Sequence, residues 1–224
     1  MKMKITALCL TFILVITSFN LQAKIFYVVS GDSFELKPSL TTLFQYKWME
    51  GGIDVPASEI LTGGTLRKTF TLASSTVAET KTISLGVLDV SGGCLSDLIN
   101  HTVVVLPKLT LAVVPLVDSF CENLTAITTE ITASLPAILP DLTTYGVTLG
   151  STYKWFKDGV LIPDATGNKI TVTDIGVYKS EVAYILPTIG SYIPNGSKIV
   201  DAIIGSATIL KDKDAPTTPD IEIL

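Results

Sequence analysis

The sequence predicts an all-β protein that uses one β unit twice, and three observations carry the prediction. First, Tyr153-Lys154-Trp155-Phe156-Lys157-Asp158-Gly159-Val160-Leu161-Ile162-Pro163 aligns without a gap on Tyr46-Lys47-Trp48-Met49-Glu50-Gly51-Gly52-Ile53-Asp54-Val55-Pro56. The chain's two tryptophans therefore stand 107 positions apart (155 − 48). Second, from Lys24 onward Val, Ile, Leu, Thr and Ser fall in short runs cut by Gly, Pro, Asn and Asp. Stiff β-branched side chains suit a pleated surface. Short runs with turn residues between them mark a sandwich or barrel. Third, no stretch sustains the apolar stripe of a helix.

Residues 1–23 are of another kind. Met1-Lys2-Met3-Lys4 is positive, Ile5 to Phe19 is apolar and uncharged, and Asn20-Leu21-Gln22-Ala23 ends on a small residue. That order predicts a secretory signal peptide cleaved after Ala23. The run falls short of the roughly 20 residues that span a bilayer. No membrane insertion of the mature chain is expected, and its localisation is secreted, extracellular or at a cell surface.

The first unit is placed at 24–107. Ile25 to Val29 and Ser33 to Leu36 are its first strands, joined by a turn at Gly31-Asp32. Phe44, Tyr46 and Trp48 alternate with Gln45, Lys47 and Met49, which makes a half-buried strand. Gly51-Gly52 turns the chain into Ile53 to Val55. Leu66 to Leu72 and Lys81 to Val90 follow, Gly92-Gly93 makes a tight turn, and His101 to Leu106 closes the unit.

The second unit is placed at 108–210. Leu109 to Val114 and Thr125 to Ala133 open it. Leu135 to Gly150 is longer than its counterpart in the first unit and reads as an insertion between two strands. The Trp155 strand, the Asp158-Gly159 turn, Lys169 to Thr173, Tyr178 to Leu186 and Lys198 to Leu210 complete the unit. Residues 211–224 are polar and rich in Pro, a tail or linker.

Asp174-Ile175-Gly176-Val177-Tyr178 carries the resemblance further. A Trp on a middle strand, a turn, two more strands, then Asp-x-Gly-x-Tyr resembles the immunoglobulin-like fold. The local motifs look like the tandem Ig-like and PKD-like modules of bacterial secreted and surface proteins. The fold this implies is two Ig-like β-sandwich domains in tandem after a cleaved signal peptide. Trp48, Trp155 and Tyr178 would be structural core, the Tyr hydroxyl returning to the backbone at a strand corner. Ser180 stands where the family's second core Cys would follow, and neither unit has a Cys in its second strand, so the inter-sheet disulfide of antibody-type domains is absent. In the first unit Ala78-Glu79-Thr80-Lys81 falls where the Tyr corner is expected. The family's modules serve as stalks, adhesive units or appendages to enzymes.

Removing the leader takes Lys2, Lys4 and Cys9 with it. The mature chain then has 14 basic (16 − 2) and 21 acidic residues, a formal charge of −7. Nucleic acid and anionic membrane surfaces need clustered Lys and Arg, so neither is an expected partner. Cys94 and Cys121 remain in a compartment that permits disulfides. A bridge would close about 28 residues and contribute roughly 3–4 kcal/mol. It requires the chain to fold back near Pro107 or Pro115; otherwise the two remain thiols.

Chemistry is sparse. His101 is the single histidine and is read as pointing outward; alone it makes no ordinary zinc site. It has no nucleophile or orienting carboxylate nearby in sequence. G-x-S-x-G, H-E-x-x-H, P-loop and dinucleotide patterns are all missing. Glu122 with Glu130 would be the carboxylate pair of a glycosidase, but both read more simply as solvated. Lys211-Asp212-Lys213-Asp214 lacks the Gly and terminal Glu of a calcium loop. No catalytic residue, cofactor or metal is therefore assigned. The expected role is non-catalytic: structural, adhesive or protein-binding at a cell surface, with exposed strand edges as the contact mode. The alternative is a carbohydrate-binding module accessory to a secreted enzyme, with Tyr145, Tyr184 and Tyr192 as a glycan platform.

Overall fold

The computed structural model describes residues 23–39, 45–74, 76–88, 94–187, 191–192 and 203–214. The expected signal peptide up to residue 22, Phe44, Gly92-Gly93 and residues 215–224 lie outside the described residues. Described residues form strands and three short 3-10 turns, with no α-helix among them.

The first half contributes β1 (Ile25–Val29), β2 (Ser33–Leu36), β3 (Gln45–Glu50), β4 (Ile53–Asp54), β5 (Ile60–Leu61), β6 (Thr65–Thr69), β7 (Glu79–Leu88) and β8 (Ile99–Leu106). The second contributes β9 (Ala112–Pro115), β10 (Ser119–Cys121), β11 (Thr129–Ser134), β12 (Thr148–Leu149), β13 (Lys154–Lys157), β14 (Val160–Ile162), β15 (Lys169–Val172), β16 (Gly176–Val182), β17 (Tyr184–Ile185), β18 (Ser191–Tyr192) and β19 (Ile203–Lys213).

Both halves build the same larger sheet. Its order is β1-β8-β7-β3-β4 in the first half and β10-β19-β16-β13-β14 in the second. In each, the first strand joins the last in parallel and every other pair is antiparallel. The facing sheets are β2-β6-β5 and β9-β11-β15. The chain is a tandem of two Ig-like β-sandwiches. The gapless match of the two Trp hairpins reflects true equivalence: Trp48 and Trp155 occupy the same strand of the same sheet order.

Two cores follow from the alternation. Val28, Phe34, Leu36, Trp48, Leu66 and Ile83 fill the first, and Ile131, Ala133, Trp155, Tyr178, Val182 and Ile209 belong to the second. Truncating a buried aromatic of this kind to Ala costs about 3–5 kcal/mol.

The structure changes three details of the strand assignment. The chain after Val114 does not run straight on. It leaves β11 at Leu116, whose N–H reaches the Glu130 carbonyl, and joins β19 by Asp118, whose carbonyl accepts from Leu210. The resulting β10 has three residues, too few to show a period. Next, Lys211, Asp212 and Lys213 are not tail; they continue β19, because Phe120 and Cys121 of β10 pair with Lys211 and Lys213. Last, the corner position of the first sandwich is not in 78–81. Glu50 faces Ile83 as Lys157 faces Tyr178, so Ile83 stands in the place of the corner Tyr. The spacing from Trp to this position is 35 residues in the first half and 23 in the second (83 − 48 and 178 − 155): the first half adds β5 and two 3-10 turns, Ala57–Glu59 and Thr62–Gly64, before β6, and a longer connection, residues 70–78, after it.

Candidate interaction surface

The expected core residues are deeply placed. Trp48 and Trp155 are 3% and 0% exposed, and Tyr178 is buried beside Trp155. Each indole N–H is buried with its ring and finds a carbonyl: Trp48 Nε1 donates to Gly64 O at 2.7 Å, and Trp155 Nε1 to Gly167 O at 2.8 Å. Tyr178 Oη donates to Asp174 O at 2.9 Å, closing the corner. Burial raises its pKa above the usual phenol value, which keeps the hydroxyl a donor.

The corner is tied to the Trp hairpin. Asp158 Oδ1 accepts from Val177 N at 2.8 Å, and Asp158 N donates to Val177 O. Lys157 Nζ lies 3.1 Å from Asp174. That hydrogen bond leads the effects that hold the Lys157 pKa above its ordinary value.

The tyrosines expected as a glycan platform are placed differently. The stretch 135–147 exposes Ile138 and Leu139 in its first half, but its second half turns in toward β1 and β8. Asp141 Oδ1 accepts from Thr143 N and Oγ1, shaping a 3-10 turn at Thr143–Tyr145, and Gly146, at φ 67°, ends it. This delivers Leu142, Tyr145 and Val147 into an apolar cluster with Tyr27, Ala78, Val104 and Leu106 of the first sandwich. Tyr145 Oη donates to Ala78 O at 3.0 Å, and Tyr27 Oη to Tyr145 O at 3.4 Å. Tyr184 is buried and donates to Pro107 O at 2.7 Å; desolvation drives its pKa far up. Tyr184, buried, and Tyr145, half-buried, thus place their hydroxyls in a seam between the sandwiches. Tyr192 contributes backbone: β18 pairs in parallel with β1, Phe26 with Ser191 and Tyr27 with Tyr192.

Sequence carried a signal for this seam. Ile25-Phe26-Tyr27-Val28-Val29 and Val103-Val104-Val105-Leu106 are unbroken apolar runs, which mark strands buried on both faces. Val103 and Val105 enter the first core while Val104 and Leu106 enter the seam.

Of the two alternatives for Cys94 and Cys121, the structure has the unbridged one. Both are free thiols, Cys94 exposed and Cys121 half-buried. Cys94 precedes β8 and Cys121 sits on β10, so the length of β8 separates them. His101 does not point outward. It shares the inward parity of Val103, with its ring centroid 5.7 Å from that of Phe26 and its Nδ1 accepting from Lys24 N at 3.2 Å. Burial, then the charge of Lys24, lowers its pKa. Glu122 is exposed beside β19, its N–H bonded to Lys213 O, whereas Glu130 stands on β11 of the facing sheet with its carboxylate 2.8 Å from Lys169 Nζ.

An open groove borders the β3–β4 turn, lined by Glu50, Asp54, Pro56, Thr80 and Lys81 among others. Its acids already have partners: Glu50 holds Lys68 at 2.7 Å and Asp54 holds Lys47 at 3.1 Å. Lys68 is also held by Glu59. Burial pulls the Lys68 pKa down, but the two carboxylates outweigh it and keep the ammonium charged. No cluster of three or more metal-ligating side chains occurs among the described residues.

What remains open is apolar. Ile53 and Val160, each five residues after its Trp, are 75% and 71% exposed on the edge strands β4 and β14. On the second sandwich Val160 pairs with Lys157 and has the parity of Trp155, while its neighbour Leu161 pairs with Phe156 and turns to the outer face. Leu161, Phe156, Val177, Ile204 and Leu210 share the outer face of β14-β13-β16-β19, because Trp155, Tyr178 and Ile209 take the alternate positions. Leu161, Val177, Ile204 and Leu210 are all about half exposed. Lys179 lies 5.2 Å from the Phe156 ring centroid and 2.6 Å from Glu181. Lys154 is exposed and has no carboxylate at ion-pair distance among the described residues.

No family model and no curated protein sequence matches the chain. Solved structures similar to it are tandem immunoglobulin proteins. Immunoglobulin domains 1–4 of Sidekick-1 align at 17% identity and TM-score 0.30, over 86% of this chain and 50% of that one. The N-terminal eight Ig domains of Down Syndrome Cell Adhesion Molecule align at 12% identity and TM-score 0.40, over 84% and 23%. Titin domains z1z2, in complex with telethonin, align at 12% identity and TM-score 0.29, over 87% and 96%. The chain spans half the length of the Sidekick-1 fragment. Among the described residues no helix is long and apolar enough to cross a membrane.

Proposed function

We propose that this is a secreted, non-catalytic Ig-like protein that binds a protein partner at a cell surface through the outer face of β14-β13-β16-β19. The observation that carries the reading is a set of exposed apolar side chains on one outer sheet face, Leu161, Val177, Ile204 and Leu210, with the half-buried Phe156 among them. Lys154, Lys179, Glu181, Ser206 and Thr208 stand between them in the register, and large apolar side chains exposed together among polar groups on one face mark an interaction site. Lys154 has no carboxylate at ion-pair distance among the described residues, so it offers its charge to a carboxylate on an otherwise apolar partner surface. The local resemblance to bacterial Ig-like and PKD-like surface modules supports an adhesive or stalk role. The seam supports a protein partner over a glycan, because it occupies Tyr145 and Tyr184.

The test is binding of labelled protein to intact cells of the source organism. Leu161→Glu with Ile204→Glu lowers binding at least tenfold with the thermal midpoint unchanged, and pre-digestion of the cells with protease abolishes it. Binding that resists protease and disappears on periodate treatment establishes the carbohydrate reading instead. Unchanged binding by the double variant removes this face from the function. N-terminal sequencing of exported protein reads Lys24; a chain that keeps residues 1–23 ends the secretory part of the proposal.

A further inference from the structure

We propose that the two sandwiches unfold as one cooperative unit, with the stretch 135–147 as the coupling element. Tandem domains ordinarily meet through small polar contacts and move independently. Here the junction is built otherwise. Between β8 and β9 the chain passes through Pro107, Leu109 and Leu111, all buried, so no free linker separates the halves. Tyr27, Ala78, Val104 and Leu106 of the first sandwich sit in one cluster with Leu142, Val147, Trp155 and Tyr178 of the second. Strands β1 and β8 are therefore core strands of both halves at once.

The polar groups follow the same plan. The carbonyls of Ala78 and Pro107, from the first half and the junction, are satisfied by Tyr145 and Tyr184 of the second. The Tyr27 hydroxyl of the first reaches the Tyr145 carbonyl of the second. β18 gives the outer edge of β1 a backbone partner. Unfolding the second sandwich alone would uncover an apolar face on β1 and β8 and strip these groups of their partners, so a half-folded chain is a poor intermediate.

Each half carries one tryptophan, which makes the coupling measurable in the whole protein. Trp48→Phe leaves Trp155 as the reporter of the second sandwich, and Trp155→Phe leaves Trp48 as the reporter of the first. Ile83→Val, in the first core, is then placed in each background. The expected result is that the urea midpoint read by Trp155 falls together with that read by Trp48, and that adding Tyr145→Ala pulls the two midpoints apart. A Trp155 midpoint that ignores Ile83→Val overturns the proposal. Should a Trp→Phe background fail to fold, hydrogen exchange on the unaltered protein decides. The slowest amides of β7 and β16 then share one opening free energy, and two distinct limits overturn the coupling.

Discussion

Two tryptophans make the same bond to a glycine carbonyl, yet the two glycines are not interchangeable. Gly64 sits at φ 74°, and a Cβ there would collide with the Tyr46 ring. Gly167 has ordinary backbone, with its nearest contact to a Cβ at 3.7 Å from Lys169 O. Gly64→Ala should therefore destabilise by about 2 kcal/mol through left-handed strain and the displaced ring. Gly167→Ala should be neutral within about 0.5 kcal/mol; urea midpoints compare them directly. Ser180 poses the opposite case. It is fully buried across from Trp155, and its Oγ has no partner among the described residues. Ser180→Ala should raise stability by about 1 kcal/mol, since it removes a desolvated, unpaired hydroxyl. His101 adds a pH dependence. Its folded pKa lies below the ordinary value of about 6.5, so in that window the unfolded chain binds more protons. Stability falls as pH drops from about 6.5 through the folded pKa and levels off beneath it. His101→Gln should flatten that part of a stability-against-pH curve; an unchanged slope would assign it to other groups.

At the scale of elements, the paired hairpins show how different residues reach one geometry. Gly51 and Gly52 have φ 56° and 87°; Asp158 and Gly159 have φ 48° and 83°. Both are two-residue turns with positive φ at both positions, the form whose twist matches the flanking strands. Nothing lies within 4 Å of a Cβ at Gly51, and Asn tolerates that conformation. Gly51→Asn should stabilise by about 0.5 kcal/mol by restricting the unfolded chain. Gly159→Ala should cost about 1 kcal/mol in backbone strain; thermal midpoints of the two variants moving in the same direction would contradict this account. These hairpins were legible because turn and register are set within a dozen residues. The strands β10, β12 and β18 were not. Each has two or three residues and is held by a partner remote in sequence: Phe120 pairs with Lys211, Thr148 with Ile185, and Ser191 with Phe26. No local period can report such pairings.

For the whole molecule, what escaped the sequence reading was the relation between the halves. Tyr145 and Tyr184 look like surface aromatics when only their neighbours in the chain are seen, since nothing local says that Ala78 and Pro107 supply their acceptors. The same geometry fixes the fate of the thiols. β8 has 8 residues, a run of about 26 Å at strand rise. Cys94 precedes its far end, while Cys121 lies past the junction at its near end, on a strand committed to β19. A disulfide tolerates about 6 Å between Cα atoms, and rotating one half on the other cannot shorten β8. The native protein should therefore be alkylated at Cys94 quickly and at Cys121 slowly, in line with their exposure. Peptide mapping after iodoacetamide should show both modified, and mild oxidation should give no internally bridged chain. A monomer 2 Da lighter and closed to alkylation at both positions would mean that the halves fold back on each other, and the parallel β1–β8 and β10–β19 arrangement would have to be abandoned with the seam.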